Sequence, residues 1–196
     1  MWWIVVAIVA VLVPYTWVSL HYRKEARPFE PYSDMKRQAN VQRLLTAGFH
    51  RITLSAERPA DAAFEGSSPA PLASPQPALA GIPAALKDTL IEIPSLPEEI
   101  RSVKAPATAS TLLPYTVDLD CTVADLGYGL SSAYLYLKDN TLYLLTDCEK
   151  LAGDLRSRSQ DMLLRLTAPA GSLPVGDYLV VAAGAKSSQQ WTLTVK

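Results

Sequence analysis

Histidine and cysteine, the residues that most often build metal and redox centres, are scarce in this sequence. The 196 residues include two histidines, His21 and His50, and two cysteines, Cys121 and Cys148. Two histidines are too few for a histidine-based metal site, and two cysteines allow at most one internal disulfide. The net charge of −1 gives no whole-chain bias toward nucleic acid or anionic lipid. Metal-dependent, redox and nucleic-acid-binding functions are therefore not expected.

Motifs that carry catalysis are also missing. The sequence has no G-x-S-x-G, H-E-x-x-H, P-loop, G-x-G-x-x-G or haem-attachment C-x-x-C-H pattern. Neither histidine has an acid and a nucleophile beside it in the sequence. We expect no catalytic residue, no cofactor, no small-molecule substrate and no nucleic-acid partner, and hence no enzyme.

No charged residue occurs from Trp2 to Leu20, a segment that reads WWIVVAIVAVLVPYTWVSL. As a helix it would be about 28 Å long, close to the ~30 Å of a bilayer's hydrocarbon core. A cleaved signal peptide fits less well, because there is no basic stretch before the apolar run and no A-x-A site after it. We predict an uncleaved single-pass anchor at residues 1–22. Its aromatic and basic ends predict membrane-interface positions for Trp2, Trp3, Trp17, Tyr22, Arg23 and Lys24.

The sequence gives conflicting indications about the side of the membrane on which the C-terminal portion lies. The flank HYRKEAR and the following Lys36 and Arg37 favour a cytoplasmic C-terminal portion by the positive-inside rule. The Pro/Ala-rich linker and the placement of the two cysteines favour an oxidising exterior. We expect an inner-membrane protein of the cell envelope with its soluble part on the periplasmic or external side.

Residues 23–56 read as a juxtamembrane region. A stiff PFEPY spacer precedes a helix that Ser33 or Asp34 can cap and that Gly48 can end, and the stretch 49–56 predicts a short strand. The helix carries Lys36, Arg37 and Arg43 away from its apolar side. It has three interpretations: a helix resting on lipid headgroups, one docked on a partner subunit, or one packed on its own domain.

Residues 57–88 are rich in proline, alanine and serine. This segment has too little apolar surface to fold alone, so it predicts a linker, or a strap that is ordered only against a partner. The stretch 89–93 (TLIEI) is a candidate first strand after it.

The remainder, 89–196, predicts about seven short strands. Polar and apolar residues alternate from Tyr115 to Val123, which indicates a half-buried strand. Asp139 and Asn140 suit a two-residue hairpin turn between the strands 133–138 and 141–148, with Leu137 opposite Leu142. Further strands are expected at 162–167, 177–183 and 190–195.

The ending LPVGDYLVVAAG…QQWTLTV resembles the last two strands of immunoglobulin and fibronectin III domains. This resemblance covers about 80 residues and implies a mainly β fold with a C-terminal Ig-like antiparallel β-sandwich. The overall layout of anchor, spacer and sandwich is loosely similar to membrane-anchored accessory subunits of bacterial respiratory oxidases, which implies a role in a complex and no activity.

Two groups of residues in the predicted sandwich are candidate sites. Cys121 and Cys148 lie on the core faces of their strands, so they are either disulfide-bonded or two buried free thiols. The second group lies opposite the leucines of the hairpin and would face outward as a partner-contact patch, or be covered by residues 49–56, or only stabilise the sheet. That patch consists of Tyr134, Tyr136, Tyr143 and Leu145.

These features lead to two functional hypotheses. The first is a non-catalytic accessory or scaffolding subunit of an integral membrane complex, such as a respiratory one, whose partners are integral membrane subunits and the lipid bilayer. The second is a free-standing, membrane-tethered envelope module that binds a protein or carbohydrate through the tyrosines.

Overall fold

The computed structural model describes residues 2–21, 33–59, 71–153 and 155–196. Two compact units are present, Met1–Met35 and Lys36–Lys196, and each is described by itself. The second unit, called here the β domain, begins well before residue 89. The residues from Lys36 to Ala56, assigned above to a separate juxtamembrane region, are therefore part of the β domain.

The described residues form three helices and eleven strands. The helices are α1 (Trp2–His21), α2 (Ser33–Thr46) and α3 (Ala84–Lys87). The strands are β1 (His50–Thr53), β2 (Ser55–Glu57), β3 (Gln76–Ala78), β4 (Glu99–Lys104), β5 (Thr108–Ala109), β6 (Tyr115–Thr122), β7 (Tyr128–Lys138), β8 (Thr141–Lys150), β9 (Asp161–Ala168), β10 (Gly176–Ala182) and β11 (Ser188–Val195).

The chain is mainly β, as the sequence predicted. One sheet has the strand order β1-β7-β8-β10-β11-β3, with β5 also paired to β11, and the other has the order β2-β9-β6-β4. Most neighbours are antiparallel, but β10 runs parallel to β8. We call these sheet A and sheet B. The chain passes from sheet A to sheet B between β1 and β2, at Leu54.

Apolar residues on the facing sides of the two sheets form one core, which we call the main core. Alternate residues of β6 are buried, and Leu119 and Cys121 are fully inaccessible. The predicted hairpin is confirmed, since Leu137 pairs with Leu142 and the turn residue Asp139 has a φ of 50°. Two sheets that share a core are compatible with a β-sandwich.

A second core lies on the other face of sheet A. It consists of Leu44, Phe49, Leu86, Leu90, Tyr136, Leu145 and Ala183. The C-terminal part of α2 supplies Leu44. The predicted stop at Gly48 is confirmed by its φ of 82°, and the amide N of Phe49 donates to the Leu44 carbonyl at 2.8 Å in the same turn.

The region before β4 differs from the prediction in two places. The stretch 89–93 is not a strand; it forms turns and a bend, and Leu90 enters the second core. Within the predicted strap, residues 71–88 join the β domain, since β3 pairs with β11 and α3 contributes Leu86 to the second core. The rest of the strap, residues 60–70, lies outside the described residues.

Candidate functional site

The predicted membrane-interface residues divide into two groups. Trp2, Trp3 and Trp17 are exposed along α1. Tyr22, Arg23 and Lys24 lie outside the described residues. The helix itself is long and apolar enough to cross a membrane, and none of its described side chains from Trp2 to Ser19 is buried.

The predicted partner-contact patch is covered by the chain itself, so the expectation that it faces outward is wrong. Tyr136 and Leu145 are buried in the second core, and Tyr134 and Tyr143 pack against it half-buried. The ring of Phe49 lies 6.2 Å from that of Tyr143. Burial also raises the pKa of Tyr136 to about 12, so its hydroxyl stays protonated.

Polar contacts hold α2 against the segment that follows α3. The Arg43 guanidinium donates to the Asp88 carbonyl at 3.2 Å, and the Asn40 side-chain oxygen accepts from the Ile91 amide at 3.1 Å. The Lys36 Nζ lies 3.7 Å from the Glu92 Oε1, an exposed ion pair. Of the three interpretations of α2, the structure shows the packing of its C-terminal part on its own domain.

The two cysteines are free thiols, and no disulfide joins them. Cys121 belongs to sheet B and Cys148 to sheet A, and both lie in the main core. The Cys121 thiol donates to the Met162 carbonyl at 3.6 Å.

Burial disfavours the thiolate form of both cysteines. Desolvation is the main reason that the pKa of Cys121 rises to about 12, and the nearby Cys148 adds to it. Desolvation also raises the pKa of Cys148 to about 11, with the neighbouring Asp147 carboxylate contributing. Because the thiolate is the reactive form, we expect the folded protein to resist alkylation at both positions.

Two further core residues lie beside the cysteines and carry heteroatoms. Met162, on β9, is the direct cross-strand partner of Cys121. Thr146 is the next core-facing residue to Cys148 along β8; it is 1% exposed, and its hydroxyl has no hydrogen-bond partner among the described residues. Sequence reasoning missed both, although the period-two alternation of β8 places Thr146 on the face of Cys148.

A cleft of about 360 Å³ opens at the side of the β domain, next to this part of the core. Met162 and Leu164 line it from sheet B, and Leu130 lines it from sheet A. The register of β2 with β9 ends at Glu57, opposite Arg165, so no described strand covers the outer edge of β9 at Met162.

Three exposed apolar side chains lie in the loops that precede β6 and β10. Leu112 is 83% exposed, Leu113 65% and Val175 71%. The Gly171 amide donates to the Thr111 carbonyl at 2.7 Å, which joins the two loops. We call Leu112, Leu113 and Val175 the apolar tip. In the sequence, the only sign of the apolar tip is the pair of leucines in TLLP. These two residues are adjacent, so the alternation of polar and apolar residues does not predict which of them is exposed.

No protein-family model matches the chain, and comparisons with curated proteins and with solved structures find no match either.

Proposed function

We propose that this protein is a single-pass membrane protein whose β domain acts, without catalysis, as an accessory subunit of a multi-subunit membrane complex. The observation that carries the proposal is α1, which presents apolar side chains on every side over a length of 20 residues. A helix of that length, about 30 Å, matches the hydrocarbon core of a bilayer. Such a helix anchors the protein and offers its surface to other membrane helices.

The apolar tip supports the subunit interpretation. Exposed apolar groups clustered on a soluble domain commonly mark a contact with another protein. The alternative, a free-standing binding module, relied on an exposed tyrosine face, and that face is buried under α2 and α3. The proposal therefore assigns contact with neighbouring subunits to α1 and to the apolar tip.

The finer architecture belongs to the same proposal. An immunoglobulin-like sandwich is supported by the two sheets, by their common core and by the terminal β10–β11 hairpin. We also propose an external position for the β domain, which the labelling experiment below tests.

Gentle solubilisation followed by native electrophoresis tests the subunit assignment. We expect the chain to migrate in a large assembly, and we expect Leu112→Glu to release it. Leu155→Glu is a matched control, since Leu155 is 66% exposed and lies in the loop between β8 and β9, away from the tip. Migration of the wild type as an isolated chain contradicts the proposal, and so does equal release by the control variant.

The side of the membrane can be measured with one added thiol. Because both native cysteines are buried, Leu112→Cys supplies the accessible group. An external β domain predicts labelling of intact cells by a membrane-impermeant maleimide, with no labelling of the wild type. Labelling of the variant only after lysis would place the domain in the cytoplasm.

A further inference from the structure

We propose that Cys121, Cys148 and Met162 form a binding site for one soft monovalent metal ion, Cu(I), in the main core. All three are buried, and they come from three strands: β6, β8 and β9. The site uses no residue of α1 or of the apolar tip, so it is independent of the proposed function.

The distribution of sulfur in the sequence supports the proposal. The chain has two cysteines and three methionines, and two of the methionines, Met1 and Met35, precede the β domain. The β domain therefore contains three sulfur-bearing residues, and all three occupy one part of the main core. The rest of that core is filled mostly by leucine, valine and alanine, so sulfur is not its general filling material.

The strand pairing brings the three side chains together. Cys121 and Met162 are directly opposite on one face of sheet B, where Cβ atoms are about 4.5–5.5 Å apart. Cys148 faces them from sheet A. Residues 95–98 connect β8 to β6 and limit the distance between Cys148 and Cys121. The Cys148 amide donates to the Ser95 carbonyl at 2.7 Å, and the Glu98 amide donates to the Thr122 carbonyl at 2.7 Å. Three peptide units span at most about 11 Å.

The donor set selects the ion. Thiolate and thioether sulfurs are soft ligands that favour Cu(I), whereas structural zinc sites usually take four cysteine or histidine ligands. Two cysteines and one methionine provide a three-coordinate sulfur site. On binding, two thiols lose their protons to solvent, and two copper–thiolate bonds and one copper–thioether bond form, while neither the metal nor sulfur changes oxidation state.

Thr146 is the independent observation that points to a ligand. Its hydroxyl is buried without a partner, and leaving such a group unsatisfied costs about 1–3 kcal/mol. Thr146 precedes Cys148 by two residues on the same face of β8. In the metal-bound state its hydroxyl would donate to the Cys148 thiolate, a charged acceptor that the free thiols do not provide.

The side cleft provides the entry path. Met162 lines it while also facing Cys121, so the thioether lies between the opening and the thiols. The flexible methionine side chain can pass the ion inward by a change of rotamer.

An anaerobic titration of the reduced full-length chain in detergent, with Cu(I) held as its bicinchoninate complex, tests the site. We expect the protein to withdraw one Cu(I) per chain and Cu K-edge absorption to show sulfur ligands only. Cys121→Ser and Cys148→Ser should abolish withdrawal, and Met162→Leu should weaken it by more than tenfold. Thr146→Val should weaken it about tenfold, the typical effect of losing a partner of a ligand.

Met35→Leu is the matched control, because it removes an exposed methionine outside the core and should leave Cu(I) affinity unchanged. Circular dichroism of each variant separates loss of binding from loss of folding, and Thr146→Val and Met162→Leu keep both cysteines if a serine variant fails to fold. The proposal is overturned if the folded, reduced wild type withdraws no copper. It is also overturned if Met162→Leu binds as tightly as the wild type, or if Zn(II) displaces Cu(I) at equal concentration.

Discussion

The two faces of sheet A are covered in different ways. One face packs on sheet B through the apolar residues of the main core. In sheet B, β6 and β9 are paired along their whole length. The other face meets the end of α2, Phe49, the four-residue helix α3 and the turns that follow it. Both faces are closely packed, but only the first is covered by a second regular sheet.

This difference predicts unequal resistance to change. A cavity costs most where its walls cannot move inward, and two hydrogen-bonded sheets are stiffer than a short helix held by side-chain contacts. We therefore expect the main core to determine global stability and the second core to behave as a separately opening layer.

The largest effect is expected for Leu142→Ala. Leu142 is fully buried in the main core, between Leu137 and the residues of sheet B. Truncation should lower the free energy of unfolding by about 4 kcal/mol, because lost burial and an unfilled cavity add together. Urea unfolding of the full-length chain in detergent measures it.

Leu112→Ala provides the control for that measurement, since Leu112 is exposed at the apolar tip and its truncation should change stability by less than about 0.5 kcal/mol. A loss at Leu142 no larger than at Leu112 would contradict the assignment of the main core.

The same truncation three residues further along β8 tests the second core. Leu145 is 1% exposed and points to the opposite face of the sheet. We expect Leu145→Ala to cost about 2–3 kcal/mol, less than Leu142→Ala, because α2 and α3 can settle into the space. A cost equal to or above that of Leu142→Ala would show that the two layers are equally rigid.

The two cores also differ in how far the sequence predicts them. Alternation in β6, β7 and β8 predicts the main core, because each strand carries its own pattern of buried residues. The second core gathers Leu44, Phe49 and Leu86 from segments with no common period. Only tertiary contacts bring these residues together, so the sequence does not show that they cover the hairpin tyrosines.

The candidate sites follow the same rule. The sequence places Cys121 and Cys148 on core faces, and the structure agrees. It does not reveal Met162 beside Cys121, because that neighbour depends on the register of β6 with β9. Proline content misleads at residues 71–88, where pairing with β11 and burial of Leu86 outweigh the low local preference for regular structure.

A smaller effect is expected at the polar contacts between α2 and residues 88–92. Asn40→Ala removes the acceptor of the Ile91 amide, an exposed hydrogen bond worth about 0.5–1 kcal/mol. Hydrogen exchange should become faster in α2 and in residues 86–92, while the β8 amides keep their protection. Gln42→Ala, two residues further along α2, is the control. Uniform acceleration across the β domain would mean that the second core does not open separately.

The smallest effect concerns pH, at the edge of the second core. The Asp147 carboxylate accepts from the Ser95 amide at 2.9 Å, yet partial burial raises its pKa above the ordinary 3.8, and Glu149 and Glu92 add to the shift. The folded state therefore binds this proton more tightly than the unfolded state does. The free energy of unfolding should fall as pH rises from about 4, and stay lower above the folded-state pKa.

Asp147→Asn removes that titration and keeps an oxygen that accepts from Ser95. Urea unfolding between about pH 4 and pH 7 should show a flatter dependence for the variant and equal or greater stability at neutral pH. Asp139→Asn, in the exposed hairpin turn, is the control variant and is measured over the same pH range. Lower stability of Asp147→Asn than of the wild type at pH 7 would contradict this prediction and would show that the charge strengthens the hydrogen bond from the Ser95 amide.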